Sequence, residues 1–208
     1  MTDDELRAEY GRRHRDILAP LATKLSDQLG TDVKGLERID RVSARAKGVD
    51  RFMGKATKLE KDGSRKYADP LNQIQDQIGA RIVVFYLDDV DAVSRAIEAY
   101  HRPIESKLLV PDSLNGFGYF GKHYILALPE DLFADDADRG SCPQFFELQI
   151  KTLFQHAWSE AEHDVGYKPE DTLTELQTRQ LAFAAAQAWG ADQIFCQIRR
   201  ELSPAESS

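Results

Sequence analysis

The chain has 208 residues, 42% of them hydrophobic and 30% charged, with a net charge of −8 and two cysteines, Cys142 and Cys196. Such a chain can bury the core of one domain and reads as an ordinary cytoplasmic protein, its two thiols reduced. A membrane span is excluded because no apolar run is long enough, and so is a metal or redox site of close-set cysteines.

The opening MTDDELRAEYGRRH has no apolar stretch, so no secretory leader is expected. Residues 3–29 read as helical, with Leu6, Tyr10, Ile17, Leu18, Leu21 and Leu25 at helical spacings; Pro20 kinks this helix or starts a second one, and Gly30 is its expected stop. Ile39 to Ala46 fits a first strand. VDRFMGKATKLEK, with Asp50 at its start, reads as a helix, and Lys61-Asp62-Gly63-Ser64 as a loop. Residues 38–66 hold ten Lys or Arg against four acids, a local charge of +6, so the rest of the chain carries −14. A basic segment in an acidic protein points to a local anion site rather than a surface for nucleic acid.

Asp69-Pro70 opens a short helix that leads through Ile78-Gly79-Ala80-Arg81 into IVVFY, a central strand. Val90, Val93, Ile97 and Tyr100 mark an amphipathic helix, Ile104 to Pro111 a short extended piece, and SLNGFG a turn. Tyr119 to Leu128 is the next strand, residues 129–143 an acidic loop, and residues 173–202 a long C-terminal helix with a broad apolar surface. Between these last two, FFELQIKT alternates strictly: Phe146, Leu148 and Ile150 are apolar, while Glu147, Gln149 and Lys151 are polar. The polar set would stand in a row about 7 Å apart on one face of a strand. Thr152 is the expected N-cap of the helix that follows, on which His156, Glu160 and His163 share a side. Their spacing is not that of a zinc protease motif. The reading is an α/β (α+β) domain of four or five mostly antiparallel strands, with long helices at both ends.

Four pieces carry chemistry. Arg45 and Lys47, with Lys55 and Lys58, can close around a polyphosphate through charge-assisted contacts. Asp76-x-x-Gly79-x-Arg81 offers a hard oxygen for magnesium, a glycine that permits a tight turn, and a flat cation for phosphate or base. Tyr119 and His123, about 13 Å apart along a strand, span the length of a nucleoside with its first phosphates. Glu147 and Gln149 precede the helix with His156, Glu162 and His163. Two carboxylates beside a polyphosphate cradle describe metal-dependent phosphoryl or pyrophosphoryl transfer.

SARAKGVDRFMGKATK, DQIGARIVVFY, GYFGKHYILAL and above all ELQIKTLFQHAWSEAEHDVGYK resemble the RelA/SpoT-type alarmone synthetase domain, in the form called small alarmone synthetases. The resemblance covers roughly residues 38–170 and implies the nucleotidyltransferase-like mixed sheet flanked by helices. One synthetase domain over 1–208 is expected, with core 38–170, an N-terminal helical segment 3–29 and a C-terminal helix 173–202, and no alarmone hydrolase domain. The implied reaction moves the β,γ-pyrophosphate of ATP to the ribose 3′-hydroxyl of GDP or GTP with Mg²⁺ and releases AMP. By the resemblance, Arg45 and Arg81 sandwich adenine, and Lys47, Lys55 and Lys58 hold the ATP phosphates. Asp76 ligates the metal, and Glu147 shares it or activates the 3′-hydroxyl. Tyr119 stacks on guanine, His123 and Gln149 serve the acceptor, and His156 takes a base-recognition position.

Two positions depart from the family pattern: Asn115 stands where a lysine is frequent, and Arg51 where a small polar residue is frequent. Lys122, His123 and Lys151 are candidates to replace the missing cation. The alternatives are a toxic synthetase that pyrophosphorylates the 3′-CCA end of tRNA, one that makes adenosine alarmones, and a catalytically dead binding module. A tRNA would need a basic track, for which Arg7, Arg12, Arg13 and Arg15 are the candidates. A homo-oligomer such as a tetramer, or an antitoxin partner, is compatible with the apolar C-terminal helix.

Overall fold

The computed structural model describes residues 1–109, 116–118, 121–133, 139–166 and 173–202. Its centre is one five-stranded sheet: β1 (Ile39–Ala46), β2 (Ile78–Val84), β3 (Pro103–Leu109), β4 (Gly121–Ala127) and β5 (Phe145–Thr152), in the order β1-β2-β5-β4-β3. The β2–β5 pairing is parallel and the others antiparallel. The helices are α1 (Asp3–Arg13), α2 (Ala19–Asp32), α3 (Val49–Ala56), the single turn α4 (Pro70–Gln73), α5 (Leu87–Tyr100), α6 (Leu153–Gly166) and α7 (Glu175–Leu202). None of the described helices is long and apolar enough to cross a membrane.

Alternation sorts the two faces of the sheet. Ala80 and Ile82 of β2, Phe146, Leu148 and Ile150 of β5, and Tyr124 and Leu126 of β4 are buried with Leu21, Leu25 and Leu29 of α2 and Val93 and Ile97 of α5. Each such aliphatic side chain contributes about 1.5–3 kcal/mol when fully buried. The opposite face keeps the polar members of the same strands. At the end of β5, Thr152 caps α6 as expected: its Oγ1 accepts from the Gln155 N–H at 3.1 Å, and Gln155 Oε1 accepts from the Thr152 N–H at 3.1 Å. That hydroxyl also donates to Asp192 of α7 at 2.7 Å, which ties the long C-terminal helix to the strand.

Several boundaries differ from the sequence reading. Pro20 sits in the first turn of α2, after a π-helical turn, His14–Leu18, which joins α1 to α2. Gly30 does not stop the helix. Leu29 and Val33 are buried on either side of it, and Asp32 Oδ2 meets His101 Nε2 at 2.8 Å, so tertiary contacts carry α2 past a residue of low helix propensity. The turn comes at Gly35, whose φ of 96° suits glycine. The helix after β1 ends at Ala56 rather than near Lys61, because Leu59 and Arg65 bridge across a tight turn in which Gly63 has φ 84°. Gly79 permits no turn; it lies within β2, which starts at Ile78, four residues before the expected run.

Candidate active site

Strand register decides which side chains share the polar face. Arg45 stands opposite Gly79 and Ser43 opposite Arg81; Gly79 is beside Glu147, Arg81 beside Gln149, and His123 beside Gln149. Paired residues point to one side of a sheet, so Arg45, Arg81, Glu147, Gln149 and His123 rise from a common floor. With Lys47, Asp76, Lys151, Glu160 and His163 they line an open cleft of about 940 Å³. At the centre of the floor, a Cβ added to Gly79 would meet none of the described residues within 4 Å. Arg45 stands across from that bare position on β1 and Arg81 two residues along β2, so the two are diagonal neighbours with backbones about 7–8 Å apart.

At one end of the cleft, Asp76 lies in the turn that leads into β2. Its Oδ2 is 2.9 Å from Lys47 Nζ and its Oδ1 2.9 Å from Lys55 Nζ. Burial works to raise the Asp76 carboxyl, but the two ammoniums outweigh it and hold it below the usual range. Oδ1 is buried, and among the described residues the Lys55 ammonium is the partner it meets. Lys47 is held by its backbone: its N–H donates to the Gln77 carbonyl at 2.8 Å, and its carbonyl accepts from the Tyr10 hydroxyl at 2.8 Å. Tyr10 in turn stacks on Phe52 of α3 at 3.6 Å between ring centroids. The N-terminal helix thus fixes the end of β1, a role hidden in the sequence because Tyr10 occupies an ordinary core position of α1. Lys58 is exposed beyond the end of α3 and is not among the residues that line the cleft.

Glu147 Oε1 lies 2.8 Å from His123 Nδ1. An ionised carboxylate only accepts, so the ring carries its proton on Nδ1. Burial pushes Glu147 up and the Asp76 charge adds to that, but the His123 contact, helped by Gln149, prevails and leaves the carboxyl below its ordinary range. Gln149 Oε1 is buried and has no hydrogen-bond partner among the described residues. Lys122, one residue from His123, stands on the other face: it pairs in register with Ile150, and its Nζ is 3.6 Å from Glu98 of α5. It therefore cannot supply the cation missing at position 115. Asn115 and Tyr119 lie outside the described residues.

Helix α6 closes the side of the cleft over β2. Arg81 Nη1 is 2.7 Å from Glu160 Oε1 and 3.0 Å from His156 Nδ1. A guanidinium has only donors, so His156 accepts there and is the neutral tautomer with its proton on Nε2. Burial and the Arg81 charge both push its pKa down. Lys151 is buried under the same helix at 2% exposure and donates to Ser159 Oγ at 3.0 Å; Ser159 donates on to the His156 carbonyl at 3.0 Å. Burial, with repulsion from Arg81, brings the Lys151 pKa down to about 7.

With this geometry in view, residues 44–186 match the family described as the region found in RelA / SpoT proteins. The chain belongs to that family. A relative within it, GTP pyrophosphokinase YjbM of Bacillus subtilis (strain 168), is 25% identical over 175 residues, 82% of this chain and 76% of the relative. The fold is that of the small alarmone synthetases. Small alarmone synthetase 1 from Bacillus subtilis, in the crystal structure bound to its product pppGpp, superposes with a TM-score of 0.70 at 23% identity, over 96% of this chain and 99% of that one. The same protein bound to AMPCPP gives a TM-score of 0.64 at 22% identity, over 97% and 98% of the two chains.

Proposed function

We propose that this member of the RelA/SpoT family is an ATP:GDP/GTP 3′-pyrophosphotransferase that makes guanosine tetra- and pentaphosphate. The observation that carries the reading is that Lys47 and Asp76 line one end of a cleft whose floor holds Arg45, Arg81 and an ionised Glu147, with Lys55 of α3 paired to Asp76. The bare position at Gly79, bordered by Arg45 and Arg81, takes the flat adenine of ATP, each guanidinium offering a planar cation to stack on the ring. Lys47 and Lys55 then take the phosphates.

The donor set suits an oxygen-liganded cation. Asp76 and Glu147 are hard carboxylates, with Asp76 near enough to oppose the ionisation of Glu147, and both Asp76 oxygens face exchangeable ammonium partners. Among the described residues no three His, Cys, Asp or Glu gather to enclose an ion. That suits Mg²⁺, which keeps waters and substrate phosphates as ligands rather than a full protein cage. When bound, such an ion neutralises charge on the transferring pyrophosphoryl group. Lys47 and Lys55 exchange their carboxylate partner for phosphate oxygens as the nucleotide enters.

In the transfer, the ribose 3′-oxygen of the acceptor bonds to the β-phosphorus of ATP, the α–β bridging bond breaks, and AMP leaves with the bridging oxygen. The 3′-hydroxyl proton passes to Glu147, which is ionised and oriented by His123. Gln149 Oε1, which has no hydrogen-bond partner among the described residues, accepts a hydrogen bond from the acceptor on this reading. A small nucleotide is favoured over tRNA because the candidate basic track is already neutralised. Arg7 pairs with Asp50, Arg12 and Arg13 with Glu9, and Arg15 with Asp16. The test is incubation with Mg²⁺ and γ-labelled ATP against GDP, GTP, ATP and deacylated tRNA, each alone, followed by separation of products. The expected result is label on the guanosine 3′ position; label on the tRNA 3′ end, with GDP and GTP unmodified, overturns the acceptor assignment.

A further inference from the structure

Glu160 has no part in the transfer, yet it makes the shorter of the two contacts to Arg81. We propose that Glu160 is a positioning residue that sets the orientation of the donor nucleotide, by fixing the Arg81 guanidinium for stacking and by denying it to phosphate. This rests on the reading of the cleft as an ATP site.

Both contacts from α6 to Arg81 go to a single nitrogen, Nη1: Glu160 Oε1 at 2.7 Å and His156 Nδ1 at 3.0 Å. The guanidinium is planar, so a grip on one corner of its edge leaves both flat faces for a ring and fixes their direction. His156 alone gives a neutral contact; Glu160 adds the charge that makes such a bond short and directional. The helix that carries both is itself anchored. Lys151 reaches from β5 to Ser159, Ser159 reaches to the His156 carbonyl, and Thr152 caps the first turn. Arg81 is consequently held from a platform fixed to the same strand that bears Glu147.

Charge supplies the second half of the argument. An arginine in a nucleotide cleft is an excellent phosphate ligand, and an unrestrained Arg81 would compete with Lys47 and Lys55 for the triphosphate. The Glu160 carboxylate takes one corner of that guanidinium, offsets its charge and repels polyphosphate from that end of the cleft, where Glu162 adds a further acid. The base is then received at Arg81 and the phosphates at the opposite end. Stability is not the reason for the pair. Glu160 is 53% exposed and Arg81 21%, and an ion pair so open to water adds little to the fold.

The test measures binding to the full chain by calorimetry, with α,β-methylene ATP and inorganic tripolyphosphate as separate ligands, in wild type, Glu160→Ala, Glu160→Gln and Arg81→Ala, with melting temperatures alongside. Glu160→Ala is expected to weaken the ATP analogue about three- to tenfold, the range for freeing one long side chain. It is expected to tighten tripolyphosphate at an unchanged melting temperature. Glu160→Gln, which keeps the acceptor oxygen without its charge, is expected to fall between. Should Glu160→Ala melt lower, the same opposite shifts are required of Glu160→Gln. If the Glu160 variants bind both ligands as wild type does, or change both in the same direction, while Arg81→Ala loses the analogue, the inference is overturned and the site reading stands. If Arg81→Ala binds the analogue unchanged, the site reading falls and the inference with it.

Discussion

Gly79 and Glu147 stand side by side in the parallel register of β2 and β5, one without a side chain and the other with the cleft's central carboxylate. Glycine weakens a strand, and here neither backbone conformation nor neighbouring atoms call for it. The bare position is explained by what must lie above it. Gly79→Val is therefore expected to fold, with a melting temperature no lower than wild type, since valine suits a strand. It is also expected to lose at least about tenfold in ATP affinity, the effect of filling the bare position bordered by Arg45 and Arg81. Calorimetry that finds wild-type affinity would remove the adenine from this position.

On the proposed reading, Asp76 serves the chemistry and its two lysine partners the binding of phosphate. Lys55→Ala is expected to weaken ATP by about 1.5–3 kcal/mol, the value of one charge-assisted contact. Asp76→Asn is expected to slow transfer at least about a hundredfold, the loss of several kcal/mol of metal-assisted stabilisation. ATP binding should change less than in Lys55→Ala, because both ammoniums remain. Single-turnover rates measured beside binding constants check this. Equal losses in binding and in rate for Asp76→Asn would argue that it only arranges the lysines.

Glu147 stays ionised because of His123. In His123→Ala, burial and the charge of Asp76 act unopposed except by Gln149, and both push the carboxyl upward. A carboxylate with a depressed pKa loses its function as pH falls through that value, so the acid limb of the rate profile should move to higher pH in the variant. An acid limb that stays in place would show that a different group limits the rate.

Lys151 leaves its mark on stability. Its pKa is about 7 in the fold against an ordinary 10.5, so below pH 7 the folded state carries the full penalty of a buried ammonium. Between those values the unfolded chain binds more protons, and this group makes stability rise with pH. Lys151→Met removes the charge, while Ser159 keeps its bond to the His156 carbonyl. Urea unfolding should find the variant more stable on the acid side by on the order of a few kcal/mol, with the gap closing toward pH 10. A gap independent of pH would mean that the amine is not titrating there.

Much of this architecture was legible from one-dimensional patterns. The alternation of Phe146 to Lys151 marks β5 and its two faces, and β1 spans the expected Ile39–Ala46. Arg45, Lys47, Asp76, Arg81, Glu147, Gln149 and His123 line the cleft, while Lys55 and His156 reach it through Asp76 and Arg81. What escaped reading was parity and distance in sequence. Lys122 and His123 are adjacent, and only the pairing with β5 decides which one faces the site. The Glu160 contact spans 79 residues and the Tyr10 contact 37, and no local propensity encodes either. Lys58 fell outside because α3 stops at Ala56, where a turn made by residues near Gly63 takes over.

The position of β5 also governs the order of events as the molecule assembles. It lies between β2 and β4, yet β2 ends at Val84 and β5 begins at Phe145. Until that strand inserts, β1–β2 and β3–β4 are two unconnected pairs, the first with the donor cations and the second with His123. Closing so long a loop is a late and slow step. Glu147 arrives only with it, so on the proposed reading the group that takes the proton joins the cleft last, and transfer requires a sheet that has already closed.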